Sequence, residues 1–204
     1  MQKICILDYG SGNVKSVFNS VSRLGYSVKI SNHFEDIESA SHLILPGVGS
    51  YGKAMEKINR TLPLDVVSKQ IANGKPILGI CVGMQVFSTK GFEYGEWDGL
   101  NLFEHSTVEE LKTELPKPHI GWNSISLIKE HQIFSNIPDG SDFYFVHSFA
   151  YSEISKEDVI ANCEYGENFP AVVGRKNVIG VQFHPEKSQV FGGQILRNFC
   201  NWFS

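Results

Sequence analysis

Lys75-Pro-Ile-Leu-Gly-Ile-Cys-Val-Gly-Met-Gln85 joins an apolar run to a helix-like segment through Gly79-Ile-Cys-Val-Gly83. The run is short, rich in Ile and Leu, and stops abruptly at the glycines, which reads as a buried strand entering a turn. Gly-x-Cys-x-Gly is the pattern of a strand–turn–helix elbow with Cys in place of Ser. Such a turn holds its nucleophile in a strained backbone conformation, and flanking glycines remove side chains that would clash there. It points the sulfur outward and leaves the N–H of Val82 free to receive an oxyanion. It also sets the thiol at a helix N-terminus, where the dipole favours an anion. Read alone, the same residues also suit a buried Cys that closes a core strand.

A second stretch decides between the two. Gly180-Val-Gln-Phe-His-Pro-Glu-Lys-Ser188 separates His184 from Glu186 by one residue. Pro185 between them favours extended backbone, in which residues two apart project to the same side. A carboxylate so placed fixes the tautomer of the imidazole and stabilises its charged form. Cys81, His184 and Glu186 then supply nucleophile, base and orienting acid.

The 204 residues are 42% hydrophobic, enough to bury one substantial core, and length predicts one domain over 1–204. Net charge is −4 with no Lys/Arg cluster, which argues against nucleic acid or an anionic membrane as partner. The start, Met1-Gln-Lys-Ile-Cys-Ile-Leu-Asp8, reads as a strand entering a turn rather than a signal peptide. No apolar run approaches the roughly 20 residues that span a bilayer. Cys5, Cys81, Cys163 and Cys200 lie far apart, without C-x-x-C or Cys/His metal spacing. Reduced thiols in a cytoplasmic protein, and no metal, are the expectation.

Along the chain, residues 3–7 read as a strand, followed by the turn-rich Asp8-Tyr-Gly-Ser-Gly-Asn13. Val14, Val17, Phe18, Val21 and Leu24 recur at helical spacing, and Gly25 takes the C′ position. Strands are predicted at 26–30 and 42–45, then the loop Pro46-Gly-Val-Gly-Ser-Tyr-Gly52. That loop lacks both the P-loop Lys and the dinucleotide spacing, so it reads as backbone presented beside the nucleophile. Helices follow at 53–59 and 64–72. Residues 91–130 read as strands and loops at one sheet edge. The stretch 142–149 alternates like a strand, with His147 a second base candidate or a structural, substrate-lining residue. Further strands at 159–163, 171–174 and 178–183 lead to His184. A final helix carries Phe191, Ile195, Leu196, Phe199 and Phe203 as one apolar stripe. The sum is an α/β fold, a mostly parallel central sheet flanked by helices with an added antiparallel edge.

Several motifs in order resemble those of the class I, triad-type glutamine amidotransferases, which share a flavodoxin-like fold. They are Asp8-Tyr-Gly-Ser-Gly-Asn-Val-Lys-Ser-Val17, Leu45-Pro-Gly-Val-Gly-Ser50, Gly79-Ile-Cys-Val-Gly-Met-Gln85, Pro118-His-Ile-Gly-Trp-Asn123, Tyr144-Phe-Val-His-Ser148 and Gly180-Val-Gln-Phe-His-Pro-Glu-Lys-Ser188. The Asp-Tyr-Gly start, Gly-Trp-Asn and Tyr-Phe-Val-His-Ser are similar to the subgroup of glutaminase subunits that serve imidazole glycerol phosphate synthases in histidine biosynthesis.

That resemblance implies hydrolysis of L-glutamine to glutamate and ammonia, with Cys81 as nucleophile, His184 as base and acid, and Glu186 as orienting group. It implies an oxyanion hole from the N–H of Val82 and one from the loop at Val48 and Gly49. Gly49, Gln85 and Glu93 would hold glutamine, with His147 and Ser148 as one wall, and Asn123, Tyr144 and Lys187 would face the partner. No metal or organic cofactor is implied. The implied partner is a (β/α)8-barrel cyclase subunit in a heterodimer. The alternative is the same chemistry feeding a sugar amidotransferase in surface-polysaccharide or nucleotide-sugar synthesis. One departure stands out: Thr89-Lys-Gly-Phe-Glu-Tyr-Gly95 replaces the family's more acidic, Ser-Glu-Glu-like segment.

Overall fold

The computed structural model describes residues 2–203. Lys3–Leu7 (β1) pairs in parallel with Ser27–Ser31 (β2), and Val14–Arg23 (α1) makes the crossover between them. Phe34–Ser39 (α2) returns the chain to His42–Gly47 (β3), parallel to β1 on its other side. Tyr51–Thr61 (α3) and Leu64–Ala72 (α4) then lead to Ile77–Cys81 (β4), parallel to β3, and directly into Val82–Gln85 (α5).

Beyond the elbow come the strands Lys90–Gly91 (β5), Trp97–Asp98 (β6), Thr107–Glu110 (β7), His119–Leu127 (β8), Asp142–His147 (β9), Phe149–Glu153 (β10), Val159–Glu164 (β11), Asn168–Arg175 (β12) and Val178–Val181 (β13), and last the helix Gln189–Cys200 (α6). Among the described residues the large sheet has nine strands in the order β2-β1-β3-β4-β13-β12-β11-β8-β9, and a second sheet runs β10-β7-β5-β6.

Burial explains the centre of the large sheet. Every residue of β3, β4 and β13 is buried, the continuous apolar pattern of strands covered on both faces. On α1, Val17 and Val21 are buried while Val14, Phe18 and Leu24 pack beside them, as the helical spacing predicts. Five of the nine strands, β2, β1, β3, β4 and β13, run parallel. From β13 onward each pairing in the order β12, β11, β8, β9 is antiparallel, so the added edge is four strands wide.

Three local expectations change. The sequence ran from the strand at 26–30 to that at 42–45 without a helix; α2 lies between, and its one buried residue, Ile37, leaves no periodicity to read. Residues 91–130 are divided: β8 joins the large sheet, whereas β5, β6 and β7 belong to the small one. The last helix stops at Cys200, and Phe203 lies past it, 62% exposed. Trp202 is buried in its place, and its carbonyl is held by His42 Nε2 at 2.8 Å. No helix among the described residues is long and apolar enough to cross a membrane.

Candidate active site

Strand β4 ends at Cys81 and α5 begins at Val82, so the nucleophile position is the corner itself. Cys81 has φ 54° and ψ −114°, left-handed backbone for a residue with a side chain. Conformations of this kind cost about 1–3 kcal/mol and persist where surrounding structure enforces them. Here the enforcing contact is close approach of β3. A Cβ on Gly83 would lie 1.9 Å from the Leu45 carbonyl oxygen, and one on Gly47 would lie 2.4 Å from the Gly83 nitrogen. Only glycine lets the two backbones meet, and the register sets Gly47 opposite Cys81. The chain past Gly47 therefore brings Val48 and Gly49 beside the sulfur. Val82 is the first residue of α5, so its N–H has no acceptor within the helix. That helix is one turn long, so it offers far less dipole than the sequence suggested.

The imidazole arrives from the neighbouring strand. β13 lies parallel to β4, Val181 opposite Ile80, and the chain beyond it carries His184 to the same end of the sheet. His184 Nδ1 and Glu186 Oε1 are 2.8 Å apart, and both side chains are fully buried. The linking backbone is not extended: Pro185–Lys187 forms a turn of 3-10 helix. That turn, rather than strand alternation, brings the carboxylate under the ring. Burial alone would push the His184 imidazole down, yet the neighbouring Cys81 sulfur and Glu186 carboxylate outweigh it and hold it at about 9. Burial pulls Glu186 the other way too, but the imidazole beside it keeps the carboxyl below its ordinary value. His184 Nε2 and Glu186 Oε2 are buried without a hydrogen-bond partner among the described residues. The Cys81 sulfur thus stabilises the protonated imidazole without a closed hydrogen bond in this ground-state geometry.

A cleft of about 380 Å³ opens over the sulfur, lined by Val48, Gly49, Cys81, Val82, Gln85, Glu93, Pro118, Val146, His147, Ser148, Phe149, His184 and Lys187. Most residues singled out in the sequence therefore share one cavity, with Glu186 directly behind His184. Gln85 is buried, and its Nε2 donates to the Phe149 carbonyl (2.7 Å) and to Gln182 Oε1 (3.1 Å). Both amide protons are used, so Oε1 is the group left for a ligand, and it is an acceptor. Glu93 reaches the cleft from the β5–β6 hairpin, and its Oε2 accepts from Tyr51 N–H at 2.7 Å. It thereby caps α3, whose own N-cap residue, Ser50, makes no side-chain bond. Burial raises the Glu93 carboxyl despite that hydrogen bond.

The residues expected to face a partner divide. Lys187 Nζ lies 5.6 Å from the centre of the Tyr144 ring, over its face. Asn123 turns the other way: its amide donates to the Glu164 carbonyl at 2.8 Å. Strand alternation is the reason. On β8 the outward positions are Ile120 and Trp122, 59% and 47% exposed, and Trp122 sits opposite Tyr144 with rings 6.1 Å apart.

Three supports were not legible in the sequence. Asn13 Nδ2 donates to Glu186 Oε1 at 3.3 Å, across 173 positions of chain. Gln182 Nε2 points at Cys81 Sγ from 3.8 Å. Ser188 Oγ accepts from Tyr144 N–H and donates to the His184 carbonyl, tying β9 to the histidine. Asn13, Gln182 and Ser188 all lie within quoted motifs, which was the available signal; their partners depend on tertiary structure.

Comparison with known proteins agrees with this geometry. The family described as glutamine amidotransferase class-I matches residues 5–202. The imidazole glycerol phosphate synthase subunit HisH of Methanosarcina barkeri is 45% identical over 204 residues, covering 98% of this chain and 99% of the relative. The subunit HisH 2 of Pseudomonas aeruginosa is 41% identical over 198 residues, covering 96% and 98%. Among solved structures, PurLQS from Thermotoga maritima has a TM-score of 0.76 at 19% identity, covering 98% of this chain and 99% of that one; at such identity the likeness bears on the fold alone. By its elbow, its cleft and these relationships, the chain belongs to the class I glutamine amidotransferases.

Proposed function

We propose that this chain, one amidotransferase domain over 1–204, is the glutaminase subunit of an imidazole glycerol phosphate synthase in the cytoplasm. It hydrolyses L-glutamine and passes ammonia to a (β/α)8-barrel cyclase. The observation that carries the reading is full-length identity above 40% to relatives bearing that name, joined to a buried Cys81–His184–Glu186 constellation at the floor of one cleft.

The chemistry follows from the parts. The Cys81 sulfur attacks the side-chain carboxamide carbon of glutamine, and the carbonyl oxygen becomes an oxyanion. The N–H of Val82 and one from Val48–Gly49 receive that charge, each such donor worth roughly 3–4 kcal/mol of barrier. His184, protonated and steadied by Glu186, gives its proton to the departing nitrogen, and ammonia leaves with the thioester formed. Water then attacks the thioester, with its proton taken by the same imidazole, and glutamate and the Cys81 sulfur are released. Gln85 Oε1 and Glu93, both acceptors, suit the ammonium end of the amino acid. Ammonia released to bulk water would be protonated and diluted, so the reaction is useful only beside an acceptor. Ile120 and Trp122 are exposed, Trp122 meets the half-buried Tyr144 ring, and Lys187, which lines the cleft, lies over that ring; this surface suits docking of the synthase subunit.

Glutamate production distinguishes the readings when measured for the chain alone, with the cyclase, and with cyclase plus its phosphoribosyl substrate. A stepwise rise is expected. A tenfold step requires only about 1.4 kcal/mol of preferential binding to the competent state. No complex with the cyclase, together with stimulation by a sugar amidotransferase, would assign the chain to that other acceptor. Full activity from the isolated chain would contradict the coupled-subunit reading.

A further inference from the structure

Two buried histidines outside the triad form a hydrogen-bonded pair whose proton positions are fixed from both ends. His119 and His147 face each other across β8 and β9, 2% and 6% exposed, with His119 Nδ1 and His147 Nε2 3.1 Å apart. At one end His147 Nδ1 is 3.0 Å from the Phe149 carbonyl, which can only accept, so the proton sits on Nδ1. His147 Nε2 is then a lone pair, and His119 must offer it the Nδ1 proton. At the other end Asn123 Nδ2 lies 3.3 Å from His119 Nε2. The orientation of that amide is settled independently: Oδ1 accepts from Ser124 N–H, and Nδ2 also donates to the Glu164 carbonyl. All four ring nitrogens are engaged with matching polarity, and an added proton on either ring would set N–H against N–H.

The surroundings hold both rings in place. His119 is stacked between Phe145 and Tyr165, at centroid distances of 4.9 and 4.0 Å, and His147 meets the edge of Phe169 at 4.9 Å. His147 lines the cleft with Cys81, Glu93, His184 and Lys187, and His119 lies behind it. Burial, with the neighbouring His119 and His184 adding to it, outweighs the hydrogen bond to Phe149 and pushes His147 down to about 3; burial lowers His119 as well.

We propose that His119 is a positioning residue for the glutamine reaction. It locks His147 as a neutral imidazole protonated on Nδ1, and the cleft then contains one histidine that titrates, His184. His147 serves as a fixed wall, not a second base. Its bond to the Phe149 carbonyl, which Gln85 Nε2 also reaches, pins the crossing from β9 to β10 that forms the glutamine pocket. The inference rests on the glutaminase reading for its consequence, but the proton positions stand without it.

The test has two arms. Imidazole ¹⁵N resonances of the histidine-labelled intact chain should show His119 and His147 as Nδ1–H tautomers with no titration between about pH 5 and 8. An Nε2–H tautomer, or titration of His147 near the ordinary value of 6.5, overturns the lock. His119→Phe keeps the stacking and removes the donor. Assayed with the partner subunit, it should raise the glutamine KM five- to tenfold with kcat changed less than twofold, and His147 should begin to titrate. An unchanged KM overturns the positioning role. Should that variant fail to fold, the resonance arm on the natural chain still decides the lock. Absence of glutaminase activity in the natural chain refutes the proposed function and leaves the tautomer result intact.

Discussion

Cys81→Ala should reduce glutamate release to background, a loss on the order of 10⁴- to 10⁶-fold, comparable to removal of the nucleophile from other catalytic triads. The fold should survive. Among the described residues Sγ makes only long hydrogen bonds, 3.9 Å to the Val146 carbonyl and 3.8 Å to Gln182 Nε2, so with its pull on His184 set aside its removal should cost about 1 kcal/mol of stability. A second readout separates loss of chemistry from loss of structure. The sulfur is one of two neighbouring groups, with the Glu186 carboxylate, that hold His184 at about 9 against burial. Without it the midpoint of His184 should fall by a unit or more, each unit being about 1.4 kcal/mol of interaction. Retained turnover in the alanine variant would end the covalent reading, whatever the His184 resonance does.

His184→Ala should cost nearly as much as loss of Cys81, since the members of such a unit act together. Glu186→Gln should be milder, about 10- to 100-fold, because the amide oxygen can still accept from His184 Nδ1 and Asn13 Nδ2 while the charge is lost. The same substitution should change how stability depends on pH. His184 sits above its ordinary 6.5 in the folded chain, so the pair stabilises fully below about 6.5 and progressively less as pH rises through about 9. Glu186 sits below its ordinary 4.5, so its contribution is complete above that value and fades as pH falls below it. The Tm advantage of the natural chain over Glu186→Gln should therefore be widest between about pH 4.5 and 6.5. It should narrow on both sides. An advantage that grows steadily toward pH 10 would show that the carboxylate does not pair with a charged imidazole.

The elbow was legible because its constraint is local: a strand that must stop, a residue forced to positive φ, and a glycine where β3 leaves no room. His184 and Glu186 were legible as a pair because they adjoin in sequence, although a 3-10 turn sets their geometry and Pro185 had suggested extended chain. That the Asn123 amide is engaged with His119 and Glu164 was not legible, because a family motif names residues without saying which face of a strand each takes; β8 alternates, and Trp122 holds the exposed position. The antiparallel edge was legible, but the extent of its strands was not, because they carry bulges, as between β11 and β12, which blur the period-two signal. Gln85 was legible as a cleft candidate, yet the direction of its amide depends on Gln182 and Phe149, 97 and 64 positions away. The polar partners that aim the functional groups come from distant segments, and no local pattern records them.

The most direct test of the central claim is covalent capture with the glutamine analogue 6-diazo-5-oxo-norleucine, followed by peptide mass mapping of the intact chain. Cys5, Cys81, Cys163 and Cys200 are all buried free thiols, so exposure alone does not favour one of them. Burial holds Cys5 at about 11, and Cys163 and Cys200 at about 12, as inert thiols, and none of the three lines the cleft. A single adduct on Cys81, prevented by excess glutamine and absent in His184→Ala, is the expected result. An adduct on any other cysteine, or on Cys81 without protection by glutamine, would contradict the account.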